Sequence, residues 1–154
     1  MSAEIDYTLR GLKPDDLEKV VDIDARITAR SRRMFFEKRL EAALSDEKGF
    51  ISVAVEGTDG TFAGFAIARL QSGEFGVEGG VAVVDVIGVD PARHNLGIGR
   101  MLLDGIADYA RKRGIGEIRT QVDWADHDLL SFFSSAGFSL AHDRVFERPT
   151  TRTL

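Results

Sequence analysis

Hydrophobic positions along this chain recur with a helical period in some stretches and a period of two in others. The switches between them mark its elements. Ile5 to Arg10 alternates weakly, which predicts a first strand. Pro14 suits the first position of a helix, and Asp15 and Asp16 suit its positive end. Leu17, Val20, Val21 and Ile27 supply the apolar face of that helix, with Ile23 at its border. A second helix carries Phe36, Leu40, Ala43 and Leu44 at i, i+4, i+7 and i+8, with Ser31 placed to cap it. Phe50 to Glu56 and Phe62 to Leu70 read as strands joined by a turn containing Asp59-Gly60. Gln71 to Gly80 is glycine-rich and polar, and reads as a loop.

The second half repeats the alternation with stronger signals. Val81 to Val89 is an apolar run that predicts a buried strand, broken by Asp90-Pro91. The turn Asn95 to Gly99 then opens a helix to about Arg113, with Ile98, Met101, Leu102, Gly105, Ile106 and Tyr109 on one face. Gly114 and Gly116 stop it. Ile118, Thr120, Val122 and Trp124 alternate with charged or polar residues, as a strand does. Leu129, Phe132, Phe133 and Ala136 make one face of a short helix, Gly137 fits its C-terminal cap, and Phe138 to Glu147 reads as a final strand or hairpin. The order predicts mixed α/β with a central sheet covered on both faces.

Composition narrows the class. The 154 residues predict one domain, residues 1–148, with a frayed tail at 149–154. A formal net charge of −5 argues against a nucleic-acid partner. There are no cysteines and three histidines without metal-ligand spacing, so thiolate chemistry and a metal site are not expected. No signal-like or membrane-length apolar run occurs, so the expectation is a cytoplasmic protein away from membranes.

The strand, glycine turn and helix around Gly97 form a device for holding phosphate. The first amides of a helix lack partners inside it, and the helix dipole adds positive potential there. Gly97 and Gly99 allow close approach, and Arg100 adds a cation. A P-loop spacing is absent, and the dinucleotide fingerprint fails because its third glycine position holds Leu102. Taken alone, Gly97-Ile98-Gly99 is equally a tight turn.

The run Ile87-Gly88-Val89-Asp90-Pro91, followed by Arg93-His94-Asn95-Leu96-Gly97-Ile98-Gly99-Arg100, resembles the acetyl-CoA motif of the GNAT N-acetyltransferase superfamily, Arg/Gln-x-x-Gly-x-Gly/Ala. Asp126 to Phe138 resembles that family's Asn-x-x-Ala-x-x-Phe-Tyr-x-x-x-Gly-Phe segment. The resemblance covers the C-terminal half; the N-terminal half matches in its order of elements. It implies an α/β GNAT fold, with a central mixed six- to seven-stranded sheet and helices on both faces. It implies acetyl transfer from acetyl-CoA to a primary amine, on a small molecule or on a protein Lys or N-terminus. The alternative is a non-catalytic acyl-CoA-binding sensor module. The implied partners are acetyl-CoA and the amine, a homodimer being compatible with both, and no metal, nucleic acid or membrane is implied.

Carried onto this sequence, the resemblance places the cofactor against Ile87, Gly88, Val89, His94, Asn95, Leu96, Gly97, Ile98, Gly99, Arg100, Asp126 and Phe133. A backbone N–H near Val89 would meet the thioester carbonyl. Three positions depart from the pattern. His94 stands where Arg or Gln begins the phosphate motif, Asp126 replaces Asn, and Phe133 replaces the Tyr that usually serves as acid. Phenylalanine has no proton to give.

Asp85 is the first choice of general base. It interrupts a run of valines and by parity shares a face with Val83, Ile87 and Val89, where apolar neighbours would raise its pKa. It could equally pair with an arginine at the sheet surface, and Asp123 and Glu117 are the reserves. The cluster Arg30-Ser31-Arg32-Arg33 is either a solvated helix start or a rim that greets an acidic acceptor. Phe132 and Phe133 fit a core as well as a cofactor contact.

Overall fold

The computed structural model describes residues 4–71 and 79–151, in two units, Met1–Gln121 and Val122–Leu154. In the first unit β1 (Tyr7–Gly11) leads through a 3-10 turn (Pro14–Asp16) to α1 (Leu17–Thr28) and α2 (Arg33–Ser45). The hairpin β2 (Phe50–Gly57) and β3 (Phe62–Gln71) follows, then β4 (Val81–Val89), α3 (Ile98–Lys112) and β5 (Ile118–Arg119). The strands lie in sequence order in one sheet. All neighbours are antiparallel except β4 and β5, whose parallel pairing requires the crossover that α3 supplies.

Helices cover both faces of this sheet, and two adjacent residues of β3 show it. A side chain at Gly64 would strike Ile98 and Leu102 of α3, at 3.1 and 3.2 Å, so that face lies against α3. Phe65, whose side chain must point the other way, meets Phe36 of α2 edge-on at 5.7 Å. On the α1–α2 side, Val20, Ile23, Phe36, Leu40, Phe65 and Ile67 form the core. On the other, α3 buries Ile98, Leu102, Leu103, Ile106 and Ala110. Each such Val, Leu, Ile or Phe side chain contributes about 1.5–3 kcal/mol when fully buried.

The differences from expectation have local causes. Among the described residues the sheet has five strands, not six or seven. The expected strand from Ile118 stops at Arg119, because Thr120 gives its Oγ1–H to Val84 O (3.1 Å) instead of continuing a ladder. In the second unit Asp123 accepts from the Ala125 N–H (2.8 Å), forming a turn that leaves Trp124 exposed. Phe138 to Glu147 alternates in sequence but has no neighbouring strand among the described residues, and Leu140, Val145 and Phe146 are exposed. Ile23 is buried while Ile27 is 50% exposed, because α1 ends at Ala29, which adopts φ +62°, one residue beyond the helix. Arg32, not Ser31, caps α2, with no side-chain hydrogen bond. Most of the expected loop Gln71 to Gly80, residues 72–78, lies outside the described residues.

One ion pair clamps the start of the fold. Arg10 donates to both carboxylate oxygens of buried Asp16, at 2.7 and 3.0 Å, and the Lys13 N–H donates to Asp16 at 2.8 Å. Burial works to raise the Asp16 pKa, but these hydrogen bonds and the Arg10 charge outweigh it and hold it below the ordinary carboxylate value. A depressed carboxylate stabilises the fold above its unfolded pKa and loses that contribution as pH falls through the folded one. Asp16→Asn is therefore expected to cost about 1–3 kcal/mol at neutral pH. It should also flatten the loss of stability below about pH 4, near the unfolded Asp value. Urea midpoints measured against pH for both proteins check this.

Candidate functional site

The site begins with a fault in β4. Ile67 pairs with Val86 and Ala68 with Val84, so Asp85 is the extra residue of a β-bulge. Before the bulge, even-numbered residues turn their backbone toward β5. The Ala82 N–H donates to Glu117 O (3.0 Å), and Val84 O accepts from Thr120. After it the phase is reversed. The Asp90 N–H donates to Ala63 O (2.8 Å) on the β3 side. Backbone groups alternate sides along a strand, so Ile87 and Val89 aim their N–H and C=O groups away from β3. The β5 pairing ends at Val83. Among the described residues, β4 is therefore an open edge from Asp85 to Val89, displaying the amides of Ile87 and Val89.

The open edge runs into the start of α3. Asn95 and Gly97 take left-handed φ of +66° and +79°. Gly97 caps α3 with no side-chain hydrogen bond, and its carbonyl accepts from the Met101 N–H at 3.0 Å. The amides of the first turn thus have no partner within the helix. A Cβ at Gly97 would meet nothing within 4 Å, so no side chain plugs the turn there. His94, Asn95, Leu96, Gly97 and Arg100 are exposed, while Ile98 and Gly99 are buried on the sheet side. Gly88 is buried, with Ile87 and Val89 half-buried beside it. Ten of the expected cofactor residues therefore form one continuous strip of unit one: Ile87 to Val89 and His94 to Arg100.

Asp90 holds this strip in shape, a role the sequence reading missed when it took Asp90 only as a strand breaker. It is 5% exposed and accepts from the Ala92 N–H (2.9 Å), from Arg26 of α1 (2.8 Å) and from Arg93 (2.6 Å). Burial works to raise its pKa; the Ala92 hydrogen bond and the charges of Arg26 and Arg93 overcome that and lower it. Asp-Pro-x-Arg, with the Arg at i+3, was the signal available for such a cap. Arg93 is thereby committed to Asp90, and the neighbouring exposed side chain able to donate a hydrogen bond is His94.

The other candidates have defined surroundings. The Asp85 carboxylate lies 2.6 Å from Arg39 of α2 and 3.7 Å from Arg69 of β3. It shares its face with Val83 and with Val86, its neighbour across the bulge. Ile87 and Val89 pair with Ala66 and Gly64 and so face α3 instead. The expected shared face with Ile87 and Val89 is thus corrected, the bulge being the cause, and two guanidinium groups stand beside Asp85. Arg32 pairs with Asp24 and Arg33 with Glu18, each through two hydrogen bonds of 2.6–2.8 Å. Of the basic cluster's three arginines, these two serve to join α1 to α2.

In the second unit Asp126 caps α4 (His127–Ser135), accepting from the Leu129 N–H at 3.2 Å. Phe133 is buried and meets Phe132 and Phe138 edge-on at 5.2 and 5.1 Å. Asp123 lies in the turn before α4, and Glu117 is paired with Arg119 at 3.4 Å. Among the described residues no group of three His, Asp or Glu side chains is placed to hold a metal, and no helix is long and apolar enough to cross a membrane.

Comparison with known proteins places this geometry. A family model described as the acetyltransferase (GNAT) family matches residues 17–138. The mycothiol acetyltransferase of Thermobispora bispora is 35% identical over 81 residues, covering 52% of this chain and 27% of that protein. The ribosomal protein bS18 alanine N-acetyltransferase of Escherichia coli is 31% identical over 93 residues, covering 60% and 58%. This chain therefore spans only about a quarter to three fifths of these curated relatives. The aminoglycoside N-acetyltransferase AAC(6')-Iy, solved in complex with CoA, shares the fold with a TM-score of 0.82 at 16% identity, over 98% of this chain and 99% of that one.

If Asp90 organises the strip, Asp90→Ala leaves three donors without their acceptor. The expected loss is about 2–3 kcal/mol of folding stability, read as a lower urea midpoint with an unchanged slope.

Proposed function

The chain belongs to the GNAT acetyltransferase family, and on that premise we propose that it is an acetyl-CoA-dependent N-acetyltransferase acting on a primary amine. The observation that carries the proposal is the succession of two backbone surfaces, a strand edge without a ladder partner and a helix start without a side-chain cap. The open edge of β4 is followed, after the 3-10 turn Pro91–Arg93 and the loop to Gly97, by the uncapped first turn of α3. A molecule with an amide-bearing arm and a diphosphate matches both in order. The arm's amides can pair along β4 as an added strand would, and the diphosphate can accept from the first-turn amides of α3. The residues present fit coenzyme A on those grounds.

Bound acetyl-CoA would supply an activated thioester acyl group; the rest falls to this chain. The Val89 N–H, turned outward by the bulge, is the donor assigned to the thioester carbonyl, where negative charge develops during attack. Gly97, Ile98, Gly99 and Arg100 hold the diphosphate by backbone N–H groups at the positive end of α3. Asp85 is the assigned proton acceptor. It lies four residues before Val89, roughly 13 Å along the strand, so it would draw the ammonium proton through water rather than by contact. Phe133 stands where the family pattern has Tyr and has no proton to give, and that substitution favours the second reading, a module that binds acyl-CoA without turning it over.

Thiol release from acetyl-CoA with a panel of amines, measured beside CoA affinity by calorimetry, separates the two readings. The transferase gives amine-dependent thiol; the sensor gives binding alone. Gly97→Glu puts a carboxylate at the diphosphate position and strains a left-handed φ, and should weaken CoA binding at least a hundredfold, whereas Gly97→Ala adds the strain alone and should cost about tenfold or less. Equal affinity in Gly97→Glu and wild type would remove the diphosphate from this turn. Asp85→Asn is expected to lower kcat/KM about 10²–10⁴-fold. A rate profile unmoved by the change would assign the proton to bulk water.

A further inference from the structure

Resting on that reading, we infer that the amine acceptor carries a carboxylate, and that Arg69 is the residue that selects for it. The ground is a cationic cluster on the α2 face of the sheet, below the open edge of β4. Arg69, Val83 and Arg119 form one row across β3, β4 and β5. Arg39 reaches the same place from α2 and lies over the Phe35 ring at 5.3 Å. Three guanidinium groups thus stand near two carboxylates, those of Asp85 and Glu117.

The pairing within the cluster is incomplete. Arg39 Nη1 approaches Asp85 Oδ2 to 2.6 Å as an ion pair, although that buried oxygen, like Arg69 Nε, has no hydrogen-bond partner. Arg69 Nε remains 3.7 Å from Oδ1, beyond hydrogen-bond distance, and has no hydrogen-bond partner although it is buried. The Arg69 side chain as a whole is still 42% exposed, while its buried Nε lies near the charge of Asp85. A buried donor in this state is costly. Guanidinium presents a planar fork that a carboxylate satisfies with two parallel hydrogen bonds. An incoming carboxylate would complete the set that Asp85, already engaged by Arg39, leaves unfinished.

The strand sets the length of the ligand. The Arg69 head lies level with Asp85, two residues from the Ile87 amide and four from that of Val89, or roughly 7–13 Å at 3.3 Å per residue. An amine attacking beside those amides therefore sits several bonds from the anion that Arg69 holds. A terminal amine on a flexible chain ending in a carboxylate has this form; an α-amino acid attacked at its own α-amine is too short.

The experiment measures steady-state acetylation of ω-amino acids from 4-aminobutanoate to 8-aminooctanoate, each against its ω-amino carboxamide. Wild type, Arg69→Gln and Arg69→Lys are compared, with CoA affinity measured alongside. The expected result is a preference for the acid of roughly tenfold to a hundredfold in kcat/KM, peaking at one chain length. Arg69→Gln erases that preference, with the loss falling on KM for the acid, and Arg69→Lys restores part of it. Equal use of acids and carboxamides by the wild type overturns the inference, as does an Arg69→Gln loss shared equally by both series. CoA bound tightly with no amine acetylated would instead sink the transferase reading, and this inference with it.

Discussion

A strand's amides must find partners, and β4 solves this on one side only. Toward β3 its ladder is complete; toward β5 the ladder ends at Val83. The proposed cofactor site follows from those few residues without a ladder partner. Without the bulge at Asp85, the even-numbered residues that serve β5 would have continued in phase. The odd-numbered amides of Ile87 and Val89 would then have pointed at β3. One inserted residue changes which amides reach the open side. It also lifts a carboxylate onto the α2 face, beside Arg39 and Arg69.

The same logic governs the turn that follows. Helix termini ordinarily borrow a side-chain oxygen as a cap. Asp126 does this for α4 and Asp90 for the 3-10 turn at Pro91–Arg93, but Gly97 supplies none to α3. α3 follows the open strand in the chain, and its first turn, like those of α1 and α2, has no side-chain cap. Gly64 has a matching role on the sheet. With no side chain there, Ile98 and Leu102 press directly onto β3, which seats the bare end of α3 beside the end of β4.

Much of this could be read from the sequence because it was written in periodicity. The β4 range, the helix from Ile98 and the glycine turn between them were legible, since an apolar run, a proline stop and paired glycines act locally. What escaped was set by partners distant in sequence. The bulge cannot be seen in a row of valines; it exists only in the pairing of Ile67 and Ala68 with β4. The early end of β5 depends on Thr120 bonding to Val84, a choice between two partners that no pattern records. The alternation in Phe138 to Glu147 was real, but a pattern of two does not provide the neighbour a ladder needs. Asp90 was noticed only as punctuation because Arg26, its partner, lies 64 residues away.

That distant partnership has a mechanical meaning. Arg26 belongs to α1, and Asp90 fixes the loop that leads to the bare end of α3. Helix and loop are therefore riveted at one buried carboxylate. Whatever tightens the loop stiffens α1 through the same rivet, and by thermodynamic reciprocity whatever settles against α1 returns the favour to the loop. A change that removes the Asp90 carboxylate therefore takes a support from the loop and from α1 at once.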